Sequence, residues 1–197
     1  MDIKSYFNKM ADNWDEDILP IDEIRRCIVF LSGIKEHTHI LDVACGTGAM
    51  FAALQEKNPE HVTAVDISEK MVEIANNKVK DNPLFDVRCG DFFEIEDEKY
   101  DCIMIYNAYP HFIDKEKLVA KVSQLLTPDG RFVVAHGAGK EIINLHHSNV
   151  PKEITSHLLS AEEESKYWKK YFNIDILIDI QEFYMFSGKI GRASCRE

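Results

Sequence analysis

Several familiar signals are missing from this chain, and each absence removes a class of function. No GxxxxGK[ST] loop occurs, so a phosphate cradle of that type is excluded. No CxxC pair occurs. The cysteines (Cys27, Cys45, Cys89, Cys102 and Cys195) are scattered and odd in number, which reads as reduced thiols rather than a disulfide framework or a zinc knot. No HExxH or HxxxH spacing is found among the histidines, so a metal pair carried on one helix is absent. No apolar run has the length of a membrane span, and the opening MDIKSYFNKMADNWDED is too polar for a secretory leader. The expectation is a cytoplasmic protein with no membrane partner. Basic residues are scarce: 23 Lys and Arg stand against 34 Asp and Glu, a formal charge of -11, with no dense Lys/Arg cluster. Such a surface repels a phosphate backbone, so no nucleic-acid partner is expected. Repeats, low-complexity segments and an obvious linker are missing too.

What is present is an alternation of apolar runs with helical patterns over 197 residues, enough for one sizeable core. Strands are predicted at His39–Val43, Val62–Asp66, Phe85–Cys89, Cys102–Tyr106, Arg131–His136, Ile174–Ile180 and Phe183–Ser187. Helices are predicted at Ala49–Lys57, Glu69–Val79, Lys115–Leu126 and Ala161–Tyr171, with Ser68 as an N-cap and Pro128-Asp129-Gly130 as a turn closing a helix. Strand–helix alternation implies an α/β fold with a mostly parallel sheet and helices on both faces. Only Gln181–Glu182 joins the last two strands, which implies an antiparallel hairpin there. Glu162-Glu163-Glu164 reads as a solvated first helical turn. Residues 1–189 are expected to form one domain: N-terminal covering helices over 1–35 and a core over 36–189. The tail 190–197 is expected to be frayed or an addition to the natural chain.

The most informative stretch is ILDVACGTGAM, Ile40 to Met50, a strand running into an acid and a small-residue loop. A dinucleotide fingerprint needs GxGxxG. Aligning on Ala44 and Gly46 puts Ala49 third, and aligning on Gly46 and Gly48 puts Phe51 third, so a pyrophosphate reading is weak. Asp42-Val-Ala44-Cys45-Gly46-Thr47-Gly48 instead resembles motif I of the class I S-adenosylmethionine-dependent methyltransferases, with Ala44 in place of the first glycine. The likeness continues through VDIS, where Asp66 ends the second strand, and CGDFF, where Asp91 follows the third. It then takes in YDCIMIYNAYPHF and LLTPDGRFVVAHG, and YFNKMADNWDED near the N-terminus.

The resemblance implies a Rossmann-like three-layer sandwich, a seven-stranded sheet in the order 3-2-1-4-5-7-6 with one antiparallel strand, and an N-terminal helical lid. It implies S-adenosyl-L-methionine as cofactor and a small-molecule methyl acceptor. Gly46 and Gly48, with Ala44, would let the loop backbone approach the amino-acid part of the cofactor. Asp66 would accept from the ribose hydroxyls. Asp91, with Gly90 and Phe92 beside it, would meet the adenine, although a plain turn role for Asp91 stays open. Asp42 would orient the loop or meet the cofactor's ammonium. Ile67 and Met71 would complete the nucleoside wall, and Tyr6 and Trp14 would close over it from the lid. Cys45 reads as a buried small hydrophobe.

Methyl transfer needs a base only where the acceptor carries a proton in its resting form. The methyl should point at Asn107-Ala108-Tyr109-Pro110-His111-Phe112. NAYP is similar to the [DN]PPY motif of amino-group methyltransferases but lacks its two prolines, which argues against nucleic-acid and protein-glutamine acceptors. Asn107 is expected to shape the junction of cofactor and acceptor. His111 is the candidate base, with a helix-capping or surface role still open. His136, ending the fifth strand on the ligand side, is expected to reach the acceptor pocket. No metal is assigned. Two rivals remain: a cofactor-binding protein without turnover, and a metal-linked methyltransferase using His111, His136 and His146 or His147. A monomer or homodimer is expected.

Overall fold

The computed structural model describes residues 2–15 and 22–191. Seven strands form one sheet: β1 (His39–Val43), β2 (His61–Asp66), β3 (Phe85–Cys89), β4 (Tyr100–Tyr106), β5 (Leu126–His136), β6 (Phe172–Asp179) and β7 (Tyr184–Ile190), in the order β3-β2-β1-β4-β5-β7-β6. The first five pair in parallel, and β7 runs antiparallel to both β5 and β6. That is the expected order, and the hairpin falls where the two-residue link required it.

Helices cover both faces. Ile28 and Val29 of α2 (Asp22–Ser32) pack with Ala53 and Leu54 of α3 (Phe51–Gln55) on Ile40, Val62, Met104 and Val133. Ala75 of α4 (Glu69–Lys78) joins Phe51 and Ala64 on the same side. The opposite face packs Leu118, Val119 and Val122 of α5 (Lys115–Leu125), Ile143 of α6 (Lys140–His146) and Ala161 of α7 (Ala161–Ser165) on Leu41, Ile103, Phe132 and Val134. β1 is buried along Ile40–Val43, as a central strand covered on both faces must be.

Several boundaries move, each for a physical reason. The helix expected to run to Tyr171 stops at Ser165, and the chain turns so that Trp168, fully buried, stacks on Phe132 with ring centroids 3.9 Å apart. The predicted turn at Pro128-Asp129-Gly130 lies inside β5 as an irregularity: Leu126 pairs with Tyr100, and Arg131 is already opposite Cys102. Extra residues thus bulge from the ladder, which proline and glycine tolerate. The helix after β1 shrinks to Phe51–Gln55 because the glycine loop turns until Met50. Glu164 is 2% exposed rather than solvated: its carboxylate accepts from the Tyr109 hydroxyl at 3.0 Å and from Leu159 N at 3.1 Å. Of the expected tail, Ile190 closes β7 and the Gly191 amide donates to Tyr171 O at 2.8 Å; residues 192–197, with Cys195, lie outside the described residues. Of the expected N-terminal cover, α2 belongs to the helical layer. Among the described residues of that cover, α1 (Ile3–Met10) and the short turn Ala11–Asn13 with Trp14 after it lie toward the carboxyl ends of the strands, and Glu16 and Asp17 lie outside the described residues.

Candidate functional site

A cavity of about 410 Å³ opens at the carboxyl ends of the parallel strands, where α/β sheets bind their ligands. The loop after β1 makes its floor. Ala44, Gly46 and Gly48 all have positive φ (55°, 56° and 83°), a conformation that glycine adopts freely and alanine at a cost. Asp66 holds this loop from β2: its carboxylate accepts from Gly46 N and from Ser68 N, each at 2.9 Å. Ser68 in turn caps α4, accepting from Met71 N at 3.2 Å. One aspartate therefore ties the glycine loop to the start of the next helix, and its side chain still lines the cavity. Burial pushes its carboxyl up, while the backbone N–H groups of Ser68 and Gly46 pull it back.

Asp42 is the other acid of the floor. It is 1% exposed, and its Oδ2 has no hydrogen-bond partner. Burial, and then the Asp66 charge, push its carboxyl up to about 7. Tyr106 also lines the cavity. Ile67, Met71, Gly90, Asp91 and Phe92 line the β2–β3 side of the cavity. Asp91 accepts from Phe93 N at 2.9 Å, capping a short turn, and also lines the cavity. Cys45 also lines the cavity, and burial raises its thiol pKa far above the usual range, so it behaves as a small hydrophobe.

Three expected site residues are not on the cavity. Gly48 does not line it; a Cβ there would sit 2.5 Å from the Phe51 ring, so this glycine makes room for packing and not for a ligand. At Gly46 a Cβ would meet nothing nearer than Trp14 Nε1 at 3.9 Å, which leaves its open side to the cavity. Tyr6 packs edge-on against Phe7 at 5.3 Å, and Phe7 takes the lining position. His136 is 0% exposed and is not on the cavity wall: its side chain leaves β5 on the face that carries Phe132 and Val134, which α5, α6 and α7 cover.

The cover is built from α1 and the turn after it. Trp14 lies over Gly46, Phe7 lies 5.7 Å from Trp14, and the His111 ring meets Phe7 edge-on at 5.0 Å. Polar contacts fix this cover to the site. Asn8 accepts from Ser68 Oγ at 2.6 Å, and Asp15 accepts from Thr47 Oγ1 and Lys78 Nζ, both at 2.6 Å. Lys4 pairs with Glu69. Sequence reasoning missed Asn8, Asp15 and Thr47, since no spacing rule links residues about 60 or 30 positions apart.

Past β4, Asn107 sits at φ 54° and accepts from Gly137 N at 2.9 Å, bracing the ends of β4 and β5 beside the cavity. The backbone Ile154 O lies 2.8 Å from His111 Nδ1. A carbonyl only accepts, so Nδ1 carries the hydrogen and Nε2 the lone pair. Burial pushes this imidazole down to about 4. Among the described residues no group of three His, Cys, Asp or Glu side chains is arranged to hold a metal ion, and His146 is exposed. This corrects the metal-linked rival built on the histidine group. Nor is any described helix long and apolar enough to cross a membrane.

The strand order and the place of the cavity are those of the class I methyltransferase fold. Residues 41–134 match the family described as "Methyltransferase domain". The chain is 26% identical over 182 residues to a malonyl-[acyl-carrier protein] O-methyltransferase of Acetivibrio thermocellus, covering 90% of this chain and 63% of that protein. It is 27% identical over 143 residues to a demethylmenaquinone methyltransferase of Symbiobacterium thermophilum, covering 66% and 57%. The chain thus spans less than two thirds of the length of these relatives. Among solved structures, the DhpI–SAH complex superposes with a TM-score of 0.74 at 18% identity, covering 95% of this chain and 94% of that one. A Haloferax volcanii chain solved with the Trm112 methyltransferase activator superposes with a TM-score of 0.76 at 16% identity, covering 94% and 98%. Over residues 41–134 the chain is therefore similar to methyltransferase domains, and its fold is that of the class I methyltransferases.

Proposed function

We propose that the chain binds S-adenosylmethionine in this cavity and transfers its methyl group to a small-molecule acceptor. The observation that carries the reading is the junction of Gly46 and Asp66: a positive-φ glycine open to the cavity, held by a carboxylate that also lines it. Each Asp66 oxygen accepts one backbone N–H and keeps a lone pair, which suits the two hydroxyls of a ribose. The unpartnered Asp42 Oδ2 fits the ammonium of an amino-acid tail, from which it would accept. Ile67, Met71 and Phe92 offer apolar surface to a flat base, with Asp91 at hand to accept from its amino group.

The bound cofactor supplies an activated methyl group on a sulfonium. The rest falls to the chain, mainly as orientation and exclusion of water. Trp14 and Phe7 close over the amino-acid end, and Asn107 braces the wall facing the methyl. His111 stays neutral above about pH 4 and turns a free Nε2 lone pair to the acceptor, ready to take its proton. The relatives act on a malonyl-[acyl-carrier protein] and on demethylmenaquinone; here the acceptor is proposed only as a small molecule. A monomer or homodimer in the cytoplasm is part of the same proposal.

Calorimetric titration with S-adenosylhomocysteine tests it. The chain should bind, and Asp66→Ala should weaken binding roughly ten- to a hundredfold, about 1–3 kcal/mol for ribose hydroxyls left without their acceptor. Unchanged affinity in the variant would remove the ribose assignment, and binding of NAD in place of S-adenosylhomocysteine would overturn the whole reading.

A further inference from the structure

His111 lines the cavity, and the carbonyl that orients its ring comes from a segment without regular structure. Residues 150–160, between the turn after α6 and the start of α7, contain neither helix nor strand. They supply Ile154 O, 2.8 Å from His111 Nδ1. Because that carbonyl can only accept, its place decides which ring nitrogen carries the hydrogen and which keeps the lone pair. A segment that lacks the repeating hydrogen bonds of a helix or a sheet keeps one conformation only where other groups fix it. The groups that fix this one therefore act on His111.

Two side chains stand out. Asn144 of α6 accepts from Leu158 N at 2.8 Å and donates to Leu158 O at 2.9 Å, so its amide pairs with that backbone as a neighbouring strand would. Ser156 donates to Pro110 O twice, from its N–H at 2.8 Å and from its hydroxyl at 3.0 Å. It thereby joins the segment, two residues past Ile154, to the peptide that leads into His111. Ile154 and Leu158 are 6% and 1% exposed, so apolar packing presses the same segment down. On the other side Lys115 Nζ donates to Tyr109 O at 2.7 Å. Tyr109 O, Pro110 O and His111 Nδ1 are three successive groups, and each is engaged. Burial, and then His147 and Lys115, keep the imidazole neutral, and the His147 ring lies 4.9 Å away. A base acts best when its lone pair is already held where the proton will be.

We infer that Asn144 and Ser156 are positioning residues for His111: they hold the Ile154 carbonyl on its Nδ1 and so leave the Nε2 lone pair to the acceptor. The inference rests on the reading of His111 as the base. Its test needs no acceptor. The full chain, isotope-labelled at histidine ring nitrogens, is observed by magnetic resonance with and without S-adenosylhomocysteine. Wild-type His111 should carry its hydrogen on Nδ1. Asn144→Ala and Ser156→Ala should each lower the preference for that tautomer about two- to tenfold, the worth of one hydrogen bond. They should also move the titration of His111 up from about 4 toward its ordinary 6.5 as water reaches the ring. Ser156→Thr, which keeps the hydroxyl, should behave as the wild type. A hydrogen on Nε2 in the wild type overturns the inference. So do alanine variants that both leave tautomer and titration unaltered, whatever their urea midpoints, since that marks a structural role only; one variant without effect removes that residue from the role. Ser156→Ala keeps the N–H bond to Pro110 O and carries the test where Asn144→Ala fails to fold. Failure of S-adenosylhomocysteine to bind would overturn the methyltransferase reading instead, while the spectra without ligand still decide the positioning.

Discussion

Two glycines two residues apart should fail in different ways when each is replaced by alanine. Both have positive φ, 56° at Gly46 and 83° at Gly48. A left-handed conformation costs an alanine about 1–2 kcal/mol. At Gly46 that is the whole stability penalty, because the new Cβ meets only Trp14 Nε1 at 3.9 Å. At Gly48 the Cβ would fall 2.5 Å from two carbons of the Phe51 ring, and Phe51 is 4% exposed and packed with Phe85 at 4.7 Å. Overpacking of that kind adds about 1–3 kcal/mol, for a total of about 2–5 kcal/mol. In a chain of this size each kcal/mol lowers Tm by about 2–4 °C. Urea unfolding without ligand, paired with calorimetry using S-adenosylhomocysteine, separates the two effects. Gly46→Ala should lose little stability and most of the ligand affinity, since its side chain projects into the cavity. Gly48→Ala should lose more stability while the material that remains folded keeps its affinity. If Gly46→Ala is the less stable variant and still binds the ligand, the division of labour in this loop is wrong.

Two further outcomes follow from buried acids. Asp42 titrates near 7 in the folded chain against an ordinary 3.8, so between these values the folded state holds a proton that the unfolded state has released. Stability should therefore fall as pH rises through that window; Asp42→Asn should flatten the slope, which urea midpoints from pH 4.5 to 7.5 would read, and an unchanged slope would refute the assignment. Glu164 anchors Tyr109 and the Leu159 amide. Glu164→Ala leaves both donors buried and should cost about 2–4 kcal/mol in denaturant unfolding; a loss under 0.5 kcal/mol, the scale of an ordinary surface change, would return this residue to the solvated role its sequence suggests.

How much of the site was legible depended on the range of the forces involved. The Asp66 position, the Ser68 cap and the acid after β3 follow from local chemistry, and each lies where its strand delivers it. Gly46 and Gly48 are alike in sequence, and only the placement of Phe51 tells them apart. Tyr6 and Phe7 are adjacent aromatics, and the rotation of one short helix decides which faces the cavity. His136 ends the right strand, yet its side chain leaves the sheet on the face that the helices cover.

The sequence by itself determined the alternation of strands and helices, the glycine turn after β1 and the acids at the strand ends. These arise from side-chain periodicity and backbone preference within a few residues. Tertiary structure alone decided that Asn8 and Asp15 fasten the cover to Ser68 and Thr47, that Glu164 is buried, and that the His136 and Tyr184 rings meet in the interior. Burial and partner are properties of what comes to lie opposite a residue, and residues far apart in the chain meet only when the sheet order sets their neighbours.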